Sequence, residues 1–259
     1  GSKHCFRNDD DYNSINEANK MFEEMSSNNL ERFNPNEPVP DFQTYWSIYL
    51  YGVRNWGELF SNRQLLVINT YIKNLKYIHN KIMDIENNEE YSKAVITLLS
   101  ITISNMTQYN SKMSNYVLDH MVSAFIHGGL GMKFDYAEIN PTLNKYVGTF
   151  DYSLDHTLNV IKTNSIIYPV STVGEGSARK IPLPDNIASL VITDPPYYDA
   201  YPYADLSDFF YVWFKRMIGD FYPNLFSEEL TLKGEEIVQM AGRNKLYKHK
   251  TKEWFEEKM

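Results

Sequence analysis

The chain carries one cysteine, Cys5, in 259 residues. A lone thiol excludes internal disulfides and any cysteine-rich zinc centre. It fits a reducing cytosol, so a cytoplasmic protein is expected. No apolar run approaches the ~20 residues that span a bilayer, so no membrane partner is expected. No signal peptide opens the chain; Gly1-Ser2-Lys3-His4-Cys5 reads as a tag scar on an excised piece of a longer protein. Basic charge is in deficit: 25 Lys and Arg against 33 Asp and Glu leave a formal charge of −8. Net charge therefore does not announce a nucleic-acid partner, which would need a local basic patch. Histidine is also scarce, at six. Only His120 and His127 are spaced to share a helix face, and no third ligand accompanies them, so no metal is expected. Cys5 as a covalent nucleophile lacks the Pro-Cys loop that such chemistry uses, because its neighbours are His4 and Phe6.

What is present is an ordinary globular composition, 43% hydrophobic, sufficient to bury a core. It divides into three stretches. Residues 1–53 are rich in Asn, Asp and Glu, end among Pro35, Pro38 and Pro40, and read as an irregular segment with one helix near 16–25. Residues 54–131 carry helical periodicity. Ser61 and Gln64 form a capping box. Leu65, Ile68, Tyr71, Ile72, Leu75, Ile78 and Ile82 then recur at spacings of three and four, one buried stripe. Helices are also expected over 91–103 and 114–125. Residues 132–259 change to short strand-like runs separated by turns.

In that last stretch, "NIASLVITDPPYYDAYPYADLSDFFYVWFKR" runs from Asn186 to Arg216. Ser189–Thr193 is a largely apolar run of the kind buried in parallel sheets. Pro195-Pro196 stops it, since proline neither donates to a ladder nor sits inside a helix. A helix then resumes from Ala204 to Ile218, with Leu206, Phe209, Phe210, Trp213, Phe214 and Met217 along one face. Strand, loop and helix form the unit of doubly wound α/β folds, which bind ligands at that loop.

The loop groups suit one chemistry. An exocyclic base amine is a weak nucleophile because its lone pair is delocalised into the ring. Methylating it requires acceptors that hold its N–H groups in line with the donor. The Asp194 carboxylate and the Pro195 carbonyl accept only. Tyr197 offers a face on which an extruded base can stack, worth ~1–3 kcal/mol. The prolines pre-aim the loop.

Asp194-Pro195-Pro196-Tyr197 after an apolar run resembles motif IV of the S-adenosylmethionine-dependent amino-methyltransferases. Asp at the first position is more usual for adenine N6 than for cytosine N4. "WGELFSNRQLL", "KFDYAEINP", "LPDNIASLVITDPPYYDAYPYADLSDFFYVWFKR" and "YPNLFSEELTLKGEEIV", scattered from Trp56 to Val238, are similar to the large prokaryotic adenine-specific DNA methylases that carry a domain of unknown function. The resemblance implies an α/β fold: a partial Rossmann-like class I methyltransferase sheet, preceded by a substantial helical region. It implies a DNA (adenine-N6) methyltransferase of restriction-modification or defence type, S-adenosylmethionine as cofactor and DNA as partner. Asp194, Pro195, Pro196 and Tyr197 would be catalytic, with Asp194 also touching the donor.

The chain also departs from that pattern. The donor loop of such enzymes, Phe/Ala-x-Gly-x-Gly after a strand, is absent; "FIHGGLGMKFDYAEINP" (125–141) is the nearest stretch. Read as that loop, it would place Glu138 on the ribose. Read plainly, Gly128–Gly131 is the C-cap of an amphipathic helix. The family's donor-binding segment lies upstream, so a missing N-terminal segment of the same protein is expected as a partner. Ser177 is a candidate near the donor's adenine, or a surface loop residue. Tyr198, Tyr201 and Tyr203 either line a base pocket or pack the loop. Asp199, Asp205 and Asp208 read as helix-start charges, with Asp205 as a cap. "GRNKLYKHKTK" (242–252) is the one strongly basic run. Its Arg243, Lys245, Lys248 and Lys250 are candidate phosphate contacts, or a solvated loop. Two other readings stand beside catalysis on DNA: a helical target-recognition or partner-binding module without activity, and the same amine chemistry on RNA or protein.

Overall fold

The computed structural model describes residues 8–27, 33–41, 47–118, 120–126, 129–144, 146–165, 171, 173–174, 176–177, 179–181 and 183–259. Cys5, His127 and Gly128 lie outside them. Helix α1 (Asp9–Ser26) starts at a reciprocal cap in which Asn8 and Asp11 exchange backbone-to-side-chain hydrogen bonds of 2.9 Å. Helix α2 (Asn62–Glu86) opens on the predicted Ser61–Gln64 box. It buries Leu65, Ile68, Ile72 and Leu75 and ends where Asn87 turns left-handed. Helix α3 (Glu89–Thr107) is capped by Asn88 and lies along α2.

The helix expected over 114–125 does not form. Asn115–Val117 (β1) and His120–Val122 (β2) pair antiparallel, with Tyr116 opposite Met121. Phe125–Ile126 (β3) and Gly129–Leu130 (β4) make a second small hairpin. Tyr116, Val117 and Val122 favour extended backbone, and Leu118 at φ 59° makes the reversal. Gly129 therefore lies in a strand, and the helix C-cap expected there is not what the chain builds.

Helix α4 (Phe150–Asn164), with Thr149 as N-cap, packs on α3. Helix α5 (Tyr203–Ile218) packs against α2 and α3. It buries Phe209, Val212, Trp213, Met217 and Ile218, close to the predicted face. A short helix α6 (Lys252–Lys258) ends the chain. Phe209 sits in an aromatic knot, with ring centroids 6.1 Å from Trp56, 5.8 Å from Phe60 and 5.0 Å from Phe125. One hydrophobic core draws on residues from Phe22 to Tyr247.

The described chain is thus mixed α and β, with short antiparallel hairpins as its only strands among those residues. The parallel strand expected at Ser189–Thr193 is absent. Those residues are irregular, and residues 187–193 make no backbone hydrogen bond among the described residues. Leu190, Val191 and Ile192 are 74%, 63% and 84% exposed. A strand exists only through its neighbours, and no described segment lies alongside this one to pair with it. No helix among the described residues is long and apolar enough to cross a membrane.

Candidate functional site

The Asp-Pro-Pro-Tyr loop leads from this exposed run into α5. Asp194 and Pro195 are exposed and Pro196 is half-buried. Asp194 makes no hydrogen bond or ion pair among the described residues. The chain then tightens. Tyr198 N–H donates to Pro196 O at 2.9 Å, and Ala200 N–H to Tyr197 O at 2.8 Å. Tyr198 takes φ +50°, the left-handed region that a bulky residue rarely enters.

The tyrosines of the loop differ in what their rings meet. Tyr197, Tyr201 and Tyr203 form a chain of rings, with centroids 6.5 Å and 5.9 Å apart and tilted planes. Tyr197 and Tyr203 are exposed. Tyr198 is as exposed as Tyr203 and meets Phe255 edge to face at 5.1 Å.

Behind the loop lies a charged network. Asp205 and Asp208 are neither caps nor surface charges; both are fully buried. The N-cap of α5 is Pro202, which has no capping side chain, and Glu236 Oε1 instead accepts from Ala204 N–H at 2.8 Å. Asp205 Oδ2 accepts from Tyr247 OH at 2.7 Å, while its Oδ1 is buried without a hydrogen-bond partner among the described residues. Asp208 pairs with Lys233 at 2.8 Å and accepts from the Thr231 N–H and hydroxyl. Burial raises the Asp205 carboxyl to about 7, against the opposing pull of the Tyr247 hydroxyl and the Lys233 charge. Burial also raises Asp208, and it raises the Tyr247 phenol, which Asp205 pushes the same way. The phase of α5 held a signal for this: Asp205 lies four residues before the buried Phe209, and Asp208 four before the buried Val212.

The basic run 242–252 also divides. Arg243, Lys245 and Lys248 line an open cleft of about 530 Å³ with Asp41 and Asn244. Arg243 also pairs with Asp199 at 3.1 Å. Lys250 is not a phosphate contact. It is fully buried, its Nζ 3.5 Å from Glu236 Oε2 and over the rings of Tyr247 and Trp254. Burial lowers its pKa, opposed by Glu236. Ser177 lies in an exposed turn, accepting from Arg179 N–H through Oγ and from Lys180 N–H through its carbonyl. Glu138, considered for a ribose, is held in a two-pronged pair with Arg63 at 2.8 and 2.9 Å. His120 stands in β2, and no group of three or more His, Cys, Asp or Glu among the described residues could hold a metal ion.

No family model, no curated protein and no solved structure matches the chain.

Proposed function

We propose that the chain is the substrate-facing part of an S-adenosylmethionine-dependent amino-methyltransferase, acting on DNA and in the first place on adenine N6. The observation that carries the reading is the surface-open Asp194-Pro195-Pro196-Tyr197 loop beside the Tyr197–Tyr201–Tyr203 ring chain. A carboxylate without a partner among the described residues, a stiffened carbonyl and an aromatic face are what an extruded base with a free amine needs. The cleft of Arg243, Lys245 and Lys248 supplies cationic groups for a phosphate backbone.

Within this reading Asp194 accepts from the target amine as its nitrogen loses hydrogen-bonding freedom and turns its lone pair toward the donor methyl. Pro195 O takes the second N–H. S-adenosylmethionine supplies the methyl group when bound. Asp194 and Pro195 would meet its methionine end. The Rossmann-like sheet of such an enzyme would form around residues 189–193 when a donor-binding segment of the same protein lies beside them. The test is methyl transfer from tritiated donor to adenine-containing duplex by the complete enzyme, with wild type against Asp194→Ala. Equal incorporation by the two would refute the assignment.

A module without activity is the second reading. It is favoured by the absence of a sheet at residues 189–193 among the described residues. It predicts DNA or partner binding by the chain with no transfer by the complete protein. The same amine chemistry on RNA or protein would appear as transfer to those substrates and not to duplex DNA.

A further inference from the structure

The loop is held on one side only. Residues 187–195 make no hydrogen bond among the described residues, whereas almost every turn of chain from Tyr198 to Asp208 is gripped by residues 231–255. Gln239 N–H donates to Tyr198 O at 2.9 Å, and Phe255 meets the Tyr198 ring. Arg243 pairs with Asp199. Glu236 caps α5 at Ala204 from 32 residues away. Tyr247 holds Asp205, and Lys233 with Thr231 holds Asp208.

The gripping segment is itself closed into a unit. Lys250 O accepts from Met240 N–H at 3.0 Å and Ala241 N–H at 3.1 Å, while the Lys250 ammonium reaches Glu236. The left-handed Tyr198 is therefore not a property of the loop alone. A tyrosine placed there persists only if surrounding structure over-determines it, and here the determinants come from positions 239 and 255.

We infer that residues 236–255 form a clamp that fixes the Tyr198–Asp205 side of the Asp-Pro-Pro-Tyr loop, with Glu236 and Tyr247 as positioning residues that act through the first turn of α5. The clamp is built from the chain's own contacts; its effect on methyl transfer rests on the proposed function. Tyr247 reaches the loop through Asp205, and Glu236 through the Ala204 N–H. Neither lies in the Asp-Pro-Pro-Tyr stretch itself.

Hydrogen–deuterium exchange on the 259-residue chain tests the clamp without reference to activity. Tyr247→Phe removes one hydroxyl and keeps the ring. It is expected to speed exchange over residues 198–206 about tenfold or more, with α2 unchanged. Glu236→Ala is expected to do the same at residues 203–206. Glu236→Gln keeps an acceptor for the Ala204 N–H and is expected to restore wild-type exchange there. Unchanged exchange at residues 198–206 in both Tyr247→Phe and Glu236→Ala overturns the clamp. So does an increase spread equally over α2 and α3, or a failure of Glu236→Gln to rescue. In the complete enzyme, Tyr247→Phe is expected to lower kcat about tenfold while KM for the donor moves less than twofold. If Asp194→Ala transfers as well as wild type while the exchange pattern holds, the methyltransferase reading fails and the clamp stands.

Discussion

Asp205→Asn isolates the cost of burying a carboxyl beside a phenol. The folded environment raises Asp205 from 3.8 to about 7. Between those two values the native state binds a proton that the unfolded chain has released. Stability must therefore fall as pH rises through that window, and this group adds no further slope above about pH 8. Three units at about 1.4 kcal/mol each set a ceiling of roughly 4 kcal/mol for the loss. The groups facing Asp205 are Tyr247, Lys233, Asp208, Glu236 and Lys250. Asp208 is also raised, so it contributes a slope of the same sign. Asparagine imitates the neutral carboxyl and still accepts from Tyr247 OH. It removes the proton but not the hydrogen bond. Urea unfolding at half-unit steps from pH 5 to 8 is the assay. Wild type is expected to lose about 2–4 kcal/mol across the range, and Asp205→Asn to lose less than half as much. The change with pH is the readout, because an amide nitrogen at the partnerless Oδ1 position shifts all values of the variant together. Wild-type stability that rises from pH 5 to 8, or equal slopes in the two proteins, would refute the reasoning.

On the proposed amino-methyltransferase reading, Asp194→Ala should reduce methyl transfer about 10²–10³-fold, as losing one preorganised hydrogen-bonding group costs ~2–4 kcal/mol of barrier, with an unchanged melting curve. The 259-residue chain should bind S-adenosylmethionine weakly or not at all by isothermal titration, because its sequence carries no Phe/Ala-x-Gly-x-Gly loop and Glu138 is paired with Arg63; micromolar affinity would place a donor site within these residues. Replacing Lys245 and Lys248 by Ala should lower the salt slope of DNA binding by about two, read by fluorescence anisotropy. Lys250→Ala should act instead through lost stability, since it strands Glu236 without its charge partner. Gly57→Ala should destabilise by about 1–3 kcal/mol in urea. The new methyl would strike the Asn34 side-chain oxygen and come within 2.9 Å of the Pro35 carbonyl.

Helix α2 was legible because a long apolar stripe follows a clear start at Ser61–Gln64; α5 was legible from its stripe alone, since Asp205 suggests the cap and the N-cap is Pro202. The 114–125 stretch was misread as helix because Met121, Ala124 and Phe125 fit a helical spacing, while Tyr116, Val117 and Val122 decided the backbone. Ser189–Thr193 has the composition of a buried strand, but composition cannot supply a neighbour. Of the candidate site, the order of groups along Asp194–Tyr203 could be read. The role of Lys250 could not, because its burial depends on Trp254, Tyr247 and Glu236 closing around it. Asp205 and Asp208 were legible in helical phase and misassigned by residue type. An Asp near a helix start suggests a cap, and only the fold brings Lys233 and Tyr247 opposite.

The exposed run from Ile187 to Thr193 has a consequence for how the protein behaves at high concentration. Seven residues without charge, rich in Leu, Val and Ile and with no backbone hydrogen bond among the described residues, have the makeup of a segment that stacks with its own copies. What restrains it is its brackets. Asp185 stands on one side, and Asp194 with two prolines on the other, placing like charges and missing N–H donors at the ends of any growing ladder. The prolines that aim the loop are thus also gatekeepers. Removing them would lower the concentration at which the chain comes out of solution, even where the folded core is untouched.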